Sequence, residues 1–254
     1  MKVIFLGTNG WYTSPTGNTP CILIDSKTHY VVFDAGNGIY KLDNYIKENK
    51  PIALFVSHFH LDHVSGFHTL NKFKFKQGID VYFAKGRTAD FNTLVHRPYT
   101  IGVKNEEANI YNLNLEVRPH ELEDGIHDIG FPVEIRKLYH AYEDHGYKVT
   151  LEGKTIAYSG DTGVGPNSKL LAKDANVLIH ECAYIDPNAG SRWGHVDSTQ
   201  AALLAKEAGV EQLVLNHFDA SLYTTMEKRK EVEEKARKIF PNTVAAVDDL
   251  VIEL

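Results

Sequence analysis

The densest chemistry in the chain lies in one short segment. Ser57-His58-Phe59-His60-Leu61-Asp62-His63 carries three imidazoles and a carboxylate, directly after an apolar run over residues 52–56. Side chains two apart on an extended chain point the same way, so His58 and His60 can grip one cation. A mixed set of imidazole and carboxylate suits Zn, Mn, Fe or Co. One tetrahedral ion does not easily take four ligands from so short a stretch. Two neighbouring ions sharing them is the more natural arrangement.

The same placement recurs along the chain. His140 follows an apolar run at 133–138, and Asp161 follows one at 155–158. His180-Glu181 follows 177–179, and His217 follows 212–215. Each alone reads equally well as a turn residue at a strand end. Together they describe a rim of ligand-type side chains. His29, His68, His96, His120, His127 and His145 sit singly and read as solvated or core-edge histidines.

The elements that must position this rim are legible in part. Short apolar runs at 3–6, 21–24 and 30–33 read as a strand meander, and residues 39–47 have helical spacing. Pro51 opens a buried strand at 52–56. Strands are expected at 133–138, 147–151, 155–158, 177–180 and 212–215, with Glu152-Gly153 as a turn. Helices are expected at 168–172, 198–208 and 225–239. Asp197 or Ser198 would cap the second of these, and Gly209 would stop it. Residues 244–254 read as a closing strand pair. The segment 64–120 is the least legible. It includes a polar stretch near 104–109 and the basic-aromatic patch Lys72-Phe73-Lys74-Phe75-Lys76. That patch reads as an edge strand with a solvated lysine face, in preference to a nucleic-acid contact.

Composition narrows the function. The 254 residues are 43% apolar and 24% charged, with net charge −6. That is ordinary for a globular protein and provides no global basic field for gripping nucleic acid. The two cysteines, Cys21 and Cys182, form no CxxC pair and read as buried thiols. No apolar run approaches the roughly 20 residues of a membrane span, and no signal-peptide core is visible. The expectation is one cytoplasmic domain over 1–254, with no membrane partner. A homodimer is compatible with it.

These motifs resemble those of the metallo-β-lactamase fold superfamily. His58-x-His60-x-Asp62-His63 resembles its signature. His140 with Gly146-Tyr147, then Ser159-Gly160-Asp161-Thr162, then Asn216-His217-Phe218 are similar to its later metal motifs, in order and over nearly the whole chain. The resemblance implies an α/β fold, a four-layer αββα sandwich with a dinuclear site at one edge. It implies His58, His60 and His140 on one ion, and Asp62, His63 and His217 on the other, with Asp161 bridging. His60 stands where the redox di-iron branch carries glutamate, which favours hydrolysis. Zn2+ fits best by ligand type, and Mn2+ or Fe2+ fit the same shell.

Within the superfamily the likeness is to ribonuclease Z and its phosphodiesterase relatives. Phe5-Leu6-Gly7-Thr8 opens the chain in that manner. Ile179-His180-Glu181-Cys182-Ala183 resembles a His-Glu-Ala motif, and Gly194-His195-Val196-Asp197-Ser198 leads into a helix. The resemblance makes His195 a proton donor and Glu181 its orienting carboxylate. It makes Asp62 a ligand that also orients or deprotonates the attacking water. In that branch a long tRNA-gripping arm separates the positions matching His140 and Asp161. Here only 20 residues lie between them. The expectation is therefore a dinuclear-metal phosphodiesterase acting on a small or cyclic phosphodiester. A tRNA 3′-end endonuclease binding RNA by other means, and a lactonase, thioesterase or sulfatase on the same scaffold, are the alternatives. A metal-bearing module without turnover is the reading from another class.

Overall fold

Alternation within the strands sets the architecture. In β1 (Lys2–Gly7), Val3 and Phe5 enter one apolar cluster, and Ile4 and Leu6 enter another. The following elements are β2 (Asn9–Gly10), β3 (Cys21–Asp25) and β4 (Tyr30–Phe33). A 3₁₀ turn over Asn37–Lys41 then runs into α1 (Leu42–Tyr45). Next come β5 (Ile52–Phe55), α2 (Leu61–Val64), a 3₁₀ segment over Ser65–Lys72, β6 (Ile79–Ala84), α3 (Thr88–Val95) and β7 (Val117–Leu122). The computed structural model describes residues 1–100, 115–186 and 192–254. The polar stretch near 104–109 lies outside them.

The second half comprises β8 (Gly125–Asp128), β9 (Pro132–Leu138), β10 (Asp144–Leu151), β11 (Lys154–Tyr158), α4 (Pro166–Ala172) and β12 (Val177–Glu181). It closes with α5 (Ser198–Ala208), β13 (Gln212–Asn216), β14 (Phe218–Asp219), α6 (Met226–Arg237), β15 (Thr243–Ala245) and β16 (Val251–Glu253). One seven-stranded sheet has the order β16-β1-β3-β4-β5-β6-β7, and the other β15-β13-β12-β11-β10-β9-β8. Their facing sides share a core that includes Phe5, Phe33, Phe55, Tyr147, Tyr158 and Ile179. The outer face of the first sheet packs on Ile39, Leu42, Phe67 and Phe91. That of the second packs on Leu171, Ala201, Leu204, Val232 and Ala236. This is the four-layer αββα sandwich, with central strands such as β4, β5 and β12 buried on two faces and the edge strands β8 and β16 largely exposed.

The strands nearest the middle of both sheets run parallel: β4 with β5, β5 with β6, β11 with β12, and β12 with β13. Their carboxyl ends emerge along one edge, where open α/β sheets gather ligands. The short parallel pair β2–β14 joins the two halves there, with Asn9 opposite Phe218. α5 enters this edge with a built start. Asp197 accepts hydrogen bonds from Thr199 N at 2.5 Å and Gln200 N at 3.1 Å, and Gly209 ends the helix at φ +71°.

Three expectations needed correction. Residues 39–47 form a 3₁₀ turn and one α-helical turn, not a continuous helix. The 244–254 strands do not pair with each other, because β15 extends the second sheet and β16 the first. Lys72 to Lys76 is no edge strand. It lies outside any sheet, with Phe73 and Phe75 buried and stacked at 5.0 Å and Lys74 and Lys76 exposed. The alternation was real, but it answers to packing on the outer core rather than to a ladder.

Candidate metal centre

The chain leaves β5 through Val56 and Ser57, and the carboxylate of Asp34, just past β4, takes hold of it. Asp34 accepts from Ser57 N at 2.7 Å, Ser57 Oγ at 2.9 Å and Tyr158 Oη at 2.5 Å. It also meets His63 Nδ1 at 2.7 Å. One buried carboxylate thus ties both sheets and fixes the ring of His63. Asp144, at the start of β10, does the same for His58, with Oδ2 2.8 Å from Nδ1. With Nδ1 carrying the proton toward a carboxylate, Nε2 of each ring faces inward with its lone pair.

What those lone pairs face is other donors. His58 Nε2 lies 2.9 Å from His60 Nδ1, and His63 Nε2 lies 3.1 Å from His217 Nε2. Asp62 Oδ2 is 3.2 Å from His217 Nε2. The Nε2 of His140 is buried without a hydrogen-bond partner among the described residues, and its ring centroid is 5.3 Å from that of His58. Asp161, after β11, lies between the two groups. Its Oδ2 is 3.9 Å from His58 Nε2, and its Oδ1 is 3.4 Å from His63 Nε2 and 3.2 Å from His217 Nε2. Converging unprotonated nitrogens repel unless a cation lies among them. Separations near 3 Å are those of ligands about 2.1 Å from a shared ion. The donors cluster as His58, His60, His140 and Asp161, and as Asp62, His63 and His217. The donor set fits a pair of divalent ions.

The electrostatics differ between the two donor groups. Burial pushes His58 down to about 3 and His60 to about 4, with the neighbouring imidazoles adding to it, so both rings stay neutral. For His63 and His217 burial also works against the charge, but Asp161 and Asp62, joined at His63 by Asp34, outweigh it and raise both. Burial and the charge of Asp161 raise Asp144.

His195 lies beside this cluster. Its Nδ1 meets Glu181 Oε1 at 2.7 Å, and Glu181 itself is fixed by Thr162 N at 2.8 Å and Ala183 N at 3.1 Å. Burial lowers the imidazole, but the charge and hydrogen bond of Glu181 raise it to about 9. His195 also groups with Asp161 and His217, close enough for the three to offer ligand atoms to one ion. His180 does not join the rim. It is buried on the strand face opposite Glu181, with Nδ1 bonded to Glu181 O at 2.9 Å. Asp34 and Asp144 went unrecognised in the sequence. Asp34 had a usable signal, a carboxylate at the end of an apolar strand.

The descriptor "Beta-lactamase superfamily domain" matches residues 29–218. The chain belongs to that superfamily. Ribonuclease Z of Ligilactobacillus salivarius is 28% identical, the match covering 98% of this chain and 95% of the relative. It extends over 303 positions, more than this chain's 254 residues, so the ribonuclease carries segments this superfamily member lacks. The probable metallo-hydrolase YhfI of Bacillus subtilis is 25% identical over 219 positions, covering 86% of this chain and 87% of the relative. The YhfI crystal structure superposes with TM-score 0.82 at 22% identity, over 100% of this chain and 98% of that one. Human tRNase Z, short form, gives 0.75 at 24% identity, over 100% and 99%. The chain is a metallo-hydrolase of the beta-lactamase fold. The centre opens into a cavity of about 690 Å³, lined among others by Trp11, Asp62, Asp161, Tyr184, Trp193, His195 and His217. Among the described residues, no helix is long and apolar enough to cross a membrane.

Proposed function

We propose that this chain is a dinuclear-metal phosphodiesterase acting on a small or cyclic phosphodiester, its 254 residues forming a single metallo-hydrolase domain. His58, His60 and His140 would hold one ion and Asp62, His63 and His217 the other, with Asp161 shared between the two donor groups. Zn2+ is the first choice for this donor set, ahead of Mn2+ or Fe2+. Such a pair supplies an activated water and neutralises the phosphoryl oxygens.

The observation that carries the reading is the His195–Glu181 pair, at 2.7 Å on the same cavity. An alkoxide is a poor leaving group and needs a proton, whereas the thiolate released by a thioester does not. A positioned acid contributes about 10²–10⁴-fold. Glu181 holds the ring by Nδ1 and favours its protonated form, leaving Nε2 to deliver the proton. Asp62 lines the cavity opposite and orients the water or takes its proton.

The likeness to ribonuclease Z supports a second reading, cleavage at a tRNA 3′ end. Against it stand the segments this chain lacks and its net charge of −6. The deciding experiment measures metal content first. It then offers bis-aryl phosphate, cyclic nucleotides, a lactone, a thioester, an aryl sulfate and precursor tRNA. Selective turnover of the small phosphodiesters is expected. Preference for the lactone, thioester or sulfate would replace the reading, and tRNA processing with a steep salt dependence would establish the second. Bound metal with no turnover would leave a binding module.

A further inference from the structure

The chain has two tryptophans, and both stand at the mouth of the one cavity described above. Trp11 is 66% exposed and Trp193 62%. Tryptophan is the side chain with most to gain from burial. Leaving both in water at the same opening calls for something that covers them.

Each is held by its backbone to the metal centre. Trp11 N–H donates to Asp62 Oδ2 at 2.7 Å. Its φ is +72°, a conformation a bulky residue adopts only when its surroundings impose it. Trp193 O accepts from Ala141 N at 2.9 Å, next to His140, and Trp193 precedes the Gly194-His195 step. Gly194 has φ +77°, and a Cβ there would lie 2.6 Å from His140 Cα. Both tryptophans therefore leave backbone that is held at a set place relative to the donors.

The rest of the lining says what they are for. Among the described residues, no lysine or arginine lines the cavity, while Asp62, Asp161 and Asp219 do. Once two cations have balanced the inner carboxylates, the remaining cationic group of the lining is His195, already assigned to the leaving oxygen, and no lysine or arginine among the described lining residues is left for a further phosphate. The volume of about 690 Å³ is that of a small-molecule site and not of a polymer channel.

Resting on the phosphodiesterase reading, we propose that Trp11 and Trp193 hold a planar aromatic ester group of the substrate, so that the substrate carries one phosphodiester and a nucleobase or aryl ring. Stacking on an aromatic side chain is tolerant of which ring it holds and changes affinity by roughly 10-fold per contact. The rings bind and position. The proton transfer stays with His195.

Because the two tryptophans are the chain's only ones, their fluorescence reports the site without turnover. Metal-loaded protein is titrated with AMP, phenyl phosphate and inorganic phosphate. Quenching by the first two at concentrations about 10-fold below those at which inorganic phosphate binds is expected. A tighter AMP arm assigns a nucleobase, and a tighter phenyl arm an aryl ester. In parallel, kcat/KM is compared for bis-(p-nitrophenyl) phosphate and methyl p-nitrophenyl phosphate, which share a leaving group. KM for bis-(p-nitrophenyl) phosphate should rise about 10-fold in Trp11→Ala or Trp193→Ala and return in the Tyr variants, with metal content retained; a fall in the diaryl preference places the held ring on the ester that stays, and an equal rise for both substrates places it on the leaving group. Equal binding of the three phosphates, or a KM for bis-(p-nitrophenyl) phosphate unmoved by either alanine, overturns the proposal. Ring-dependent quenching in a protein that cleaves no phosphodiester would overturn the phosphodiesterase reading and leave the aromatic clamp standing.

Discussion

At the scale of single residues the centre depends on which groups fix which nitrogens. His195→Ala should reduce kcat on a cyclic or alkyl phosphodiester by about 10²–10⁴-fold, with a smaller effect on a p-nitrophenyl ester, while leaving metal stoichiometry at two. Elemental analysis decides this, and loss of an ion would make His195 a ligand, as its grouping with Asp161 and His217 allows. Asp144 and Asp34 make the complementary case. Neither belongs to the donor groups, yet each orients a ring that does, at 2.8 Å from His58 Nδ1 and 2.7 Å from His63 Nδ1. Asp144→Asn should weaken metal binding by about 10–100-fold. Competition against a chelator measures it, and unchanged affinity would mean that packing alone orients His58.

At the scale of elements the question is what holds the rim together. α6 reaches it through one side chain. Arg229 is buried, donating to Thr8 Oγ1 and Ala246 O at 2.8 Å each and to Asn9 Oδ1, with its guanidinium 4.4 Å from the Phe218 ring. Burial lowers it to about 10. Asn9 adjoins Gly10, which packs against His217 so closely that a Cβ would lie 2.6 Å from that ring. Arg229→Met would take from Ala246 O its donor, at about 1–3 kcal/mol, and leave Asn9 Oδ1 with Thr16 Oγ1 alone, besides the packing lost on Phe218. Chemical denaturation should show a loss of a few kcal/mol, with weakened metal binding because the Gly10–Trp11 corner loosens. A stable variant with full affinity would reduce Arg229 to a space-filler. None of this was legible in the sequence, where Arg229 is one charge in a helix of charges. What was legible was local. The strand-end donors Asp161 and His217 stood out because each follows a buried run, and α5 because its cap, period and stop agree. Asp144 was missed because its partner, His58, is distant in sequence and its own strand begins rather than ends there. The strands β15 and β16 were legible individually, but their partners were not. Pairing with different sheets is a long-range choice that short apolar runs do not encode.

At the scale of the molecule, the sandwich brings donors from both sheets to one edge. His58, His60, Asp62 and His63 follow β5, His140 and Asp161 follow strands of the second sheet, and Asp34 and Tyr158 clasp the two at 2.5 Å. The folded chain brings these donors within reach of one another and the unfolded chain does not. Metal binding is therefore linked to folding, and the ions act as a cross-sheet clasp as well as a catalytic device. An ion present at 100 times its Kd adds about 2.7 kcal/mol to the folded state. For a chain of this size each kcal/mol moves Tm by about 2–4 °C. Removing metal with a chelator should then lower Tm by about 5–10 °C per strongly bound site, and restoring Zn2+ or Mn2+ should return it. Calorimetry on the stripped and reloaded protein is the measurement. In Asp161→Asn, whose carboxylate spans both donor groups, the metal-dependent rise should shrink more than loss of a single site accounts for. A rise in that variant as large as in the parent protein would mean that the two ions bind independently and that Asp161 does not join them.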